Sequence, residues 1–186
     1  MKKTYFLILT FLVCNQINAQ LIKEKSIDVS VGLGYSFPFD DYDTDIYGSG
    51  FYLQGEYVLN VASWIGFRPY AGLILTKSVE NKRLPSEYKS NANAFLVGGK
   101  ARIKAPIPWV APYIEVGIGA SVGSFKTITP KTHIEESGVL AHIPFSIGLE
   151  LGRKHNFDIA FTYYDHESAQ QFSGAFAFGY SIPLDN

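Results

Sequence analysis

The chain contains one cysteine and no long apolar stretch. Cys14 is the only cysteine among 186 residues, and it lies in an amino-terminal segment that we expect to be removed on export. The mature protein would then have no thiol, which excludes disulfides and cysteine metal sites. No run reaches the roughly 20 apolar residues of a membrane-spanning helix. Walker, Rossmann, zinc and haem motifs are also missing from the sequence, so we expect no cofactor and no metal.

The chain also lacks an excess of charge of either sign, with 16 basic and 17 acidic residues. Removal of Lys2 and Lys3 with the amino-terminal segment would leave 14 basic against 17 acidic residues, a net charge of −3. Nucleic-acid-binding proteins carry a basic excess that is absent here, so we expect no nucleic acid partner. The sequence contains no Pro/Ser-rich linker and no low-complexity tract, and it predicts a single domain after the removed segment.

Residues 1–19 have the pattern of a secretory signal peptide, and residues 20–186 are predicted to form one domain. Lys2 and Lys3 precede an apolar run, and the small residue Ala19 stands at the expected cleavage point. The run is too short for a membrane anchor. Val13 precedes Cys14 at a position where a lipoprotein signal has a small residue, which disfavours lipidation. The pattern indicates export into a Gram-negative envelope.

Eight segments of the remaining chain alternate between apolar and polar residues, with the period of a β-strand. In residues 27–37, the odd positions hold Ile, Val, Leu, Tyr and Phe, whereas the even positions hold Asp, Ser and Gly. The predicted strands are residues 26–37, 50–60, 64–76, 93–104, 111–123, 139–152, 157–165 and 172–183. Long polar connections alternate with short turns, which favours antiparallel up-and-down hairpins. The sequence therefore predicts an all-β, eight-stranded antiparallel up-and-down transmembrane β-barrel in the bacterial outer membrane.

The two alternating faces are expected to meet different surroundings. We assign every charged residue of the predicted strands to one parity, and the other parity is uncharged. A charge facing lipid at the bilayer midplane would cost up to about 2–4 kcal/mol. A soluble lipocalin-like barrel is the alternative, but the polar parity is rich in glycine, which fits a narrow lumen better than a water-facing surface. Trp64 and Trp109 lie beside predicted short turns, so they are expected in an aromatic girdle at the periplasmic interface.

The charged parity predicts a network of ion pairs inside the barrel. Its predicted members are Asp28, Glu56, Arg68, Lys100, Arg102, Glu115, Glu150 and Asp158. Glu56 should lie opposite Arg68 across a turn centred near Ala62. The acidic excess would be protonated, solvated or paired with His142. We expect a side-chain-filled lumen, as is usual for eight strands, with a proton or ion path, and hence a small-solute pore, as an alternative.

The chain resembles the small eight-stranded outer-membrane barrels, namely the OmpX-like proteins and the transmembrane domain of OmpA. The resemblance depends on the alternation, on glycine-rich strands such as Tyr113–Gly119, and on a closing strand that ends at Gly179–Leu184. Asp185 and Asn186 follow, where that family commonly ends in an aromatic residue. The resemblance implies this porin-like architecture and no particular activity. We expect the partners to be outer-membrane lipids, the barrel assembly machinery and an extracellular partner bound through the outer loops.

A second resemblance is to the outer-membrane lipid A deacylases, through the segment Tyr164–Ala169. It implies a serine esterase with His166 as base and Ser168 as nucleophile. No carboxylate between Ser168 and Leu184 matches the third member, although Glu135, Glu136 or Glu167 would substitute. Strand parity directs His166 and Ser168 toward the lumen, whereas an enzyme acting on lipid needs them on the outer wall. We expect His166 to be an exposed loop residue and keep the esterase as an alternative.

Two loop segments are rich in acids, namely residues 40–45 and 133–136. Weak calcium binding is conceivable for the first, but its spacing lacks the pattern of an EF-hand, so a solvated acidic loop is favoured. The interpretation as a whole is a monomeric outer-membrane barrel of structural or surface-interaction type. Nothing in the sequence identifies its specific partner.

Overall fold

The computed structural model describes residues 24–39, 46–80 and 84–184. The predicted signal peptide, the acidic segment 40–45 and the last two residues lie outside these ranges. The strands are β1 (Glu24–Pro38), β2 (Gly48–Ala62), β3 (Ile65–Ser78), β4 (Lys89–Lys104), β5 (Trp109–Ile128), β6 (His133–Gly152), β7 (Phe157–His166) and β8 (Gln171–Pro183). A single 3₁₀ turn, Glu167–Ala169, joins β7 to β8. Within the described ranges, no helix has the length and apolar character needed to cross a membrane.

Each strand pairs antiparallel with its neighbours in the sequence, and β1 pairs with β8 to close the barrel. The predicted fold, an eight-stranded up-and-down barrel, is confirmed. Closure leaves no sheet edge around the lower wall, whereas β6 pairs with β7 only from Ile143 to Leu151 and continues beyond it. The first and last described residues meet at the short-turn end, where Leu184 N donates to Lys25 O over 2.9 Å.

Apolar side chains cover the outside of the barrel, and polar side chains fill its inside. The outward residues with exposed side chains include Ile27, Val29, Val31 and Leu33 of β1 and Ile143, Phe145, Ile147 and Leu149 of β6. The buried residues include two arginines, a lysine, three glutamates and two histidines. Asp165 is an exception to the predicted parity, because it lies in β7 on the outward parity of Tyr163 and has an intermediate exposure.

The register between β2 and β3 differs from the prediction. Glu56 lies opposite Tyr70, not opposite Arg68, because the hairpin turns at Ser63 and Trp64, beyond the centre predicted near Ala62. A bulge between Asn60 and Ala62 also changes the pairing by one residue, and a sequence inspected for symmetry alone does not reveal it. Across the next hairpin, Arg102 lies opposite Glu115.

The strands β5 and β6 are longer than predicted, with 20 residues each. The segment 124–138, predicted as a loop, is almost entirely a hairpin that continues both strands to a tight turn. Thr129 N donates to Thr132 O over 2.8 Å at its tip. The prediction was wrong here because Ser124 and Lys126 interrupt the apolar residues of the outward parity. A hairpin above the apolar band has no reason to keep that alternation.

Candidate functional site

Glu115 lies at the centre of the buried charges in the half of the lumen nearest the short turns. Arg102 Nε donates to Glu115 Oε1 over 2.6 Å, and Lys100 Nζ lies 2.8 Å from Glu115 Oε2. Arg68 Nε is 3.7 Å from Oε1. Three cations therefore surround one carboxylate whose side chain is 1% exposed.

Glu150 forms a second centre in the same layer. Arg102 Nη1 donates to Glu150 Oε1 over 2.8 Å, and Arg68 Nη2 donates to the same oxygen over 3.2 Å. Lys104 Nζ donates to Oε2 over 2.7 Å. Lys104 was not among the predicted members of the network. It shares the parity of Lys100 and Arg102, so the alternation alone would have placed it in the lumen.

The remaining acids complete one continuous network, in which all eight predicted side chains take part. Arg68 Nη1 donates to Asp28 Oδ2 over 2.6 Å and to Glu56 Oε2 over 3.1 Å. Arg102 Nη1 donates to Asp158 Oδ2 over 3.0 Å. With Lys104 included, five acids face four bases. His142 is not a member, since its ring nitrogens bind other groups.

The network closes the lumen at this height. The cavity beside it measures about 20 Å³, which is enough for about one water molecule. Buried ions stay charged only when partners replace their hydration, and loss of one partner from such a group is typically costly. The arrangement thus supports a structural role for the charges.

A layer of histidines and tyrosines lies above the ionic layer. Tyr70 Oη shares a hydrogen bond with His142 Nε2. Ser121 Oγ bridges the two histidines, at 2.7 Å from His142 Nδ1 and 2.7 Å from His166 Nε2. Gly119 makes this packing possible, because a Cβ there would overlap both Tyr70 Oη and His142 Nε2.

A second chain links this layer to the ionic one. Tyr52 Oη and Tyr164 Oη are 2.9 Å apart, and Tyr164 Oη also donates to Gln54 Oε1. Gln54 Nε2 donates to Glu56 Oε1 over 2.7 Å. Ring contacts of Tyr164 with Tyr70 and His142 connect this hydrogen-bonded chain to the histidines.

The top of the lumen is closed by apolar side chains and then by hydroxyl and amide groups. Ile74, Leu96 and Phe125 are at most 1% exposed. Beyond them, Thr76 Oγ1 donates to Ser36 Oγ over 3.0 Å, within a layer that crosses the barrel near the long loops. Side chains of four different chemistries therefore fill the lumen at successive heights.

The structure separates His166 from Ser168. His166 is fully buried in the lumen, so the expectation of an exposed loop residue is wrong. Ser168 lies exposed in the 3₁₀ turn and lines the outer wall, and the expectation that it faces the lumen is also wrong. The 3₁₀ turn interrupts the strand alternation directly after His166 and redirects the chain. The imidazole partner of the buried histidine is Ser121, and no hydrogen bond joins His166 to Ser168.

The carboxylates suggested as substitutes for the missing third member lie elsewhere. Glu135 forms an ion pair with Lys126 on the projecting hairpin. That lysine holds the pKa of Glu135 below its usual value, mainly through the hydrogen bond it donates. Glu136 and Glu167 are exposed. In the described ranges, no group of three or more His, Cys, Asp or Glu side chains is arranged to hold a metal ion.

The two tryptophans lie at the short-turn end with their rings outside the barrel. Trp64 is 51% exposed and Trp109 is 62% exposed. Tyr57 and Tyr180 are further exposed aromatic residues toward this end of the wall. An aromatic girdle at a membrane interface remains a prediction, and these positions suit one.

The upper part of β6 has an open edge. Its pairing with β7 begins at Ile143 opposite Asp165, whereas its pairing with β5 continues to His133. No described strand pairs with the other edge of β6 between His133 and His142. Side chains on both faces of the sheet are exposed there, and Val139 is 71% exposed.

The fold is similar to those of solved outer-membrane barrels. Neisserial surface protein A superposes with a TM-score of 0.60 at 12% identity, over 86% of this chain and 97% of that one. The outer membrane protein OprG of Pseudomonas aeruginosa gives 0.53 at 13% identity, over 88% and 98%. The outer membrane enzyme PagL gives 0.50 at 14% identity, over 84% and 99%. At these identities the likeness establishes the fold alone.

No protein-family model matches the sequence, and no curated protein matches it significantly. The resemblance to small eight-stranded outer-membrane barrels is confirmed at the level of architecture.

Proposed function

We propose that this protein is an outer-membrane barrel that binds an extracellular partner through the projecting β5–β6 hairpin. The observation that supports this most directly is the open edge of β6 above a lumen filled with side chains. The apolar outer wall supports placement in the membrane, and the long-loop end would then face outward. The wall itself would contact outer-membrane lipids, and insertion would depend on the barrel assembly machinery.

The open edge suits an extended peptide segment that adds as a further strand. Thr129 and Thr132 are hydrogen-bonded to each other across the tip, and antiparallel pairs alternate between bonded and unbonded. Backbone groups of His133, Glu135 and Ser137 therefore point to the open edge. An unpaired row of N–H and C=O groups is a template for strand addition, and exposed neighbouring side chains would determine specificity.

The first experiment tests the orientation of the barrel. Cysteine is placed at Lys131, at the hairpin tip, or at Ser63, in a short turn, and intact cells are treated with a membrane-impermeant maleimide. We expect labelling at position 131 and protection at position 63 until the cells are lysed. Protection at 131 with labelling at 63 would reject the proposed orientation.

The second experiment tests the edge. Cells that display Ser137→Pro or Ser137→Thr are compared for adherence to surfaces coated with extracellular proteins. Proline removes one backbone donor at an edge position and keeps the hairpin pairing, whereas threonine keeps the donor. We expect adherence conferred by the parent protein to be lost only in the proline variant. Equal adherence of both variants would exclude strand addition as the binding mode.

The esterase and the pore are weaker alternatives. The separation of His166 from Ser168 disfavours a serine nucleophile activated by this histidine, and the small lumen cavity disfavours a solute path. Mass spectrometry of lipid A from cells with and without the protein tests the esterase directly. Loss of an acyl chain would favour the enzyme over the surface-interaction role.

A further inference from the structure

A shallow groove crosses the outer wall between β3 and β7. Its volume is about 870 Å³, within the range of roughly 300–1,000 Å³ that is usual for small-molecule sites. Phe67, Pro69, Ile118 and Ile143 form its apolar sides, and Gly99 forms part of its floor. The ring of Phe67 lies over Gly99, where a Cβ would stand 2.9 Å from the ring. The wall is therefore thin and flat at this point.

The groove follows one row of paired residues across five strands. Pro69 lies opposite Gly99, and Gly99 lies opposite Ile118. At the far end of the row, Ile143 lies opposite Asp165. Four spacings of roughly 4.8 Å between strands give a length of about 19 Å. With strands tilted by about 35–45°, the row would descend about 11–13 Å, within the roughly 15 Å of hydrocarbon in one leaflet. The row ends next to the long loops, since Asp165 is one residue from the end of β7.

The end of the groove next to the long loops is acidic. Asp165, Glu167 and Ser168 line it. Asp165 Oδ1 is inaccessible to solvent and has no hydrogen-bond partner among the described residues. Neither lysine nor arginine lines the groove in the described part of the chain. A carboxylate with one oxygen buried and without a donor is costly, and a cation bound at the accessible side of Asp165, next to Glu167, would offset its charge.

We propose that this groove binds an acyl lipid whose headgroup carries a primary ammonium group. The acyl chain lies along the row from Ile143 toward Pro69, and the ammonium donates to the carboxylates of Asp165 and Glu167. The chemistry of the two ends defines the occupant, because an apolar trough matches a hydrocarbon chain and an unpartnered carboxylate matches a small cationic donor. The groove lies on the outer face of the wall and adjoins the lower end of the β6 edge, at Ala141 and His142.

An anionic lipid fits the same groove poorly. A phosphate or carboxylate headgroup next to Asp165 and Glu167 would place like charges together in a medium of low dielectric constant. A quaternary ammonium fits less well than a primary one, since it has no N–H to donate. Headgroup preference therefore distinguishes this proposal from generic contact with lipid.

The test uses native mass spectrometry of the full-length barrel in detergent micelles. Phosphatidylethanolamine, phosphatidylcholine and phosphatidylglycerol with identical acyl chains are added in turn, with magnesium chelated. We expect phosphatidylethanolamine to bind roughly tenfold more tightly than the other two, as one or two charge-assisted hydrogen bonds would give. Equal retention of the three lipids would overturn the proposal.

Two variants connect the preference to the groove. Asp165→Asn should abolish the preference for phosphatidylethanolamine, whereas the matched control Glu136→Gln, on the projecting hairpin, should keep it. The heat-dependent mobility of each barrel on a detergent gel verifies folding. If Asp165→Asn keeps the preference, or if phosphatidylglycerol binds best once magnesium is restored, the ammonium assignment is rejected.

Discussion

Glu115 shows how a single buried carboxylate can organise a polar lumen. It is the common neighbour of Lys100, Arg102 and Arg68, so its charge offsets cations from two adjacent strands. Burial would make each of those cations unfavourable alone. The sequence indicated which residues face inward. It did not show which of them has the most ionic partners, because that depends on distances that only the closed barrel determines.

We expect Glu115→Gln to destabilise the barrel by about 3–5 kcal/mol, since it leaves buried cations without their shared partner. Urea unfolding in lipid vesicles, followed by the fluorescence of the two outward tryptophans, measures this. Glu136→Gln on the exposed hairpin is the control and should change stability by about 0.5 kcal/mol or less. Equal midpoints for the two variants would contradict the central role of Glu115.

Gly119 permits the close contact of Tyr70 with His142, and Gly55 provides a matched comparison. A Cβ at Gly119 would overlap polar atoms of both side chains, whereas one at Gly55 would have only Ala71 O at 4.0 Å. We expect Gly119→Ala to cost about 1–3 kcal/mol through overpacking and Gly55→Ala to be nearly neutral. The same unfolding assay distinguishes them, and equal stability of the two variants would argue against a tightly packed middle layer.

Among the strands, the β5–β6 hairpin differs most from the rest of the wall. Near its tip it lacks a neighbour on the β6 side, and its side chains are exposed on both faces. We expect backbone amides at positions 133–139 to exchange with deuterium much faster than those at 113–121, because local opening there breaks few buried contacts. Hydrogen exchange with peptide-level mass spectrometry measures this. Equal protection from exchange in both segments would contradict an open edge on β6.

The strands themselves were predictable from the alternation wherever the wall is apolar. The alternation placed β1, β7 and β8 within two residues of their ends, since each residue there faces either an apolar exterior or the lumen. It failed above the apolar band, where the hairpin has no such constraint. It also misplaced the β2–β3 turn, so that Glu56 lies two residues away from its predicted partner on β3. The 3₁₀ turn that begins at Glu167 likewise interrupts the strand alternation, so the prediction that Ser168 faces the lumen was wrong.

For the molecule as a whole, the decisive property is the inverted distribution of polarity. Exposed Val, Ile, Leu and Phe surround a buried set of ions, which is the reverse of a soluble barrel. The composition alone does not show this, because the numbers of acids and bases are nearly equal and unremarkable for a soluble protein. Alternation combined with glycine on the polar parity indicated which face lies inside, and the closed barrel has that arrangement.

The filled lumen also determines what the whole barrel should transport. Ionic side chains close it near the short turns, Tyr52 and Tyr164 close it in the middle, and Phe125 with its apolar neighbours closes it above. We therefore expect no unitary conductance in planar bilayers at high salt. The double variant Tyr52→Ala, Tyr164→Ala should also stay closed, because the layers on either side remain in place. Resolved channel steps from the parent protein would show that these layers open together, and a solute pore would then replace the surface-interaction role.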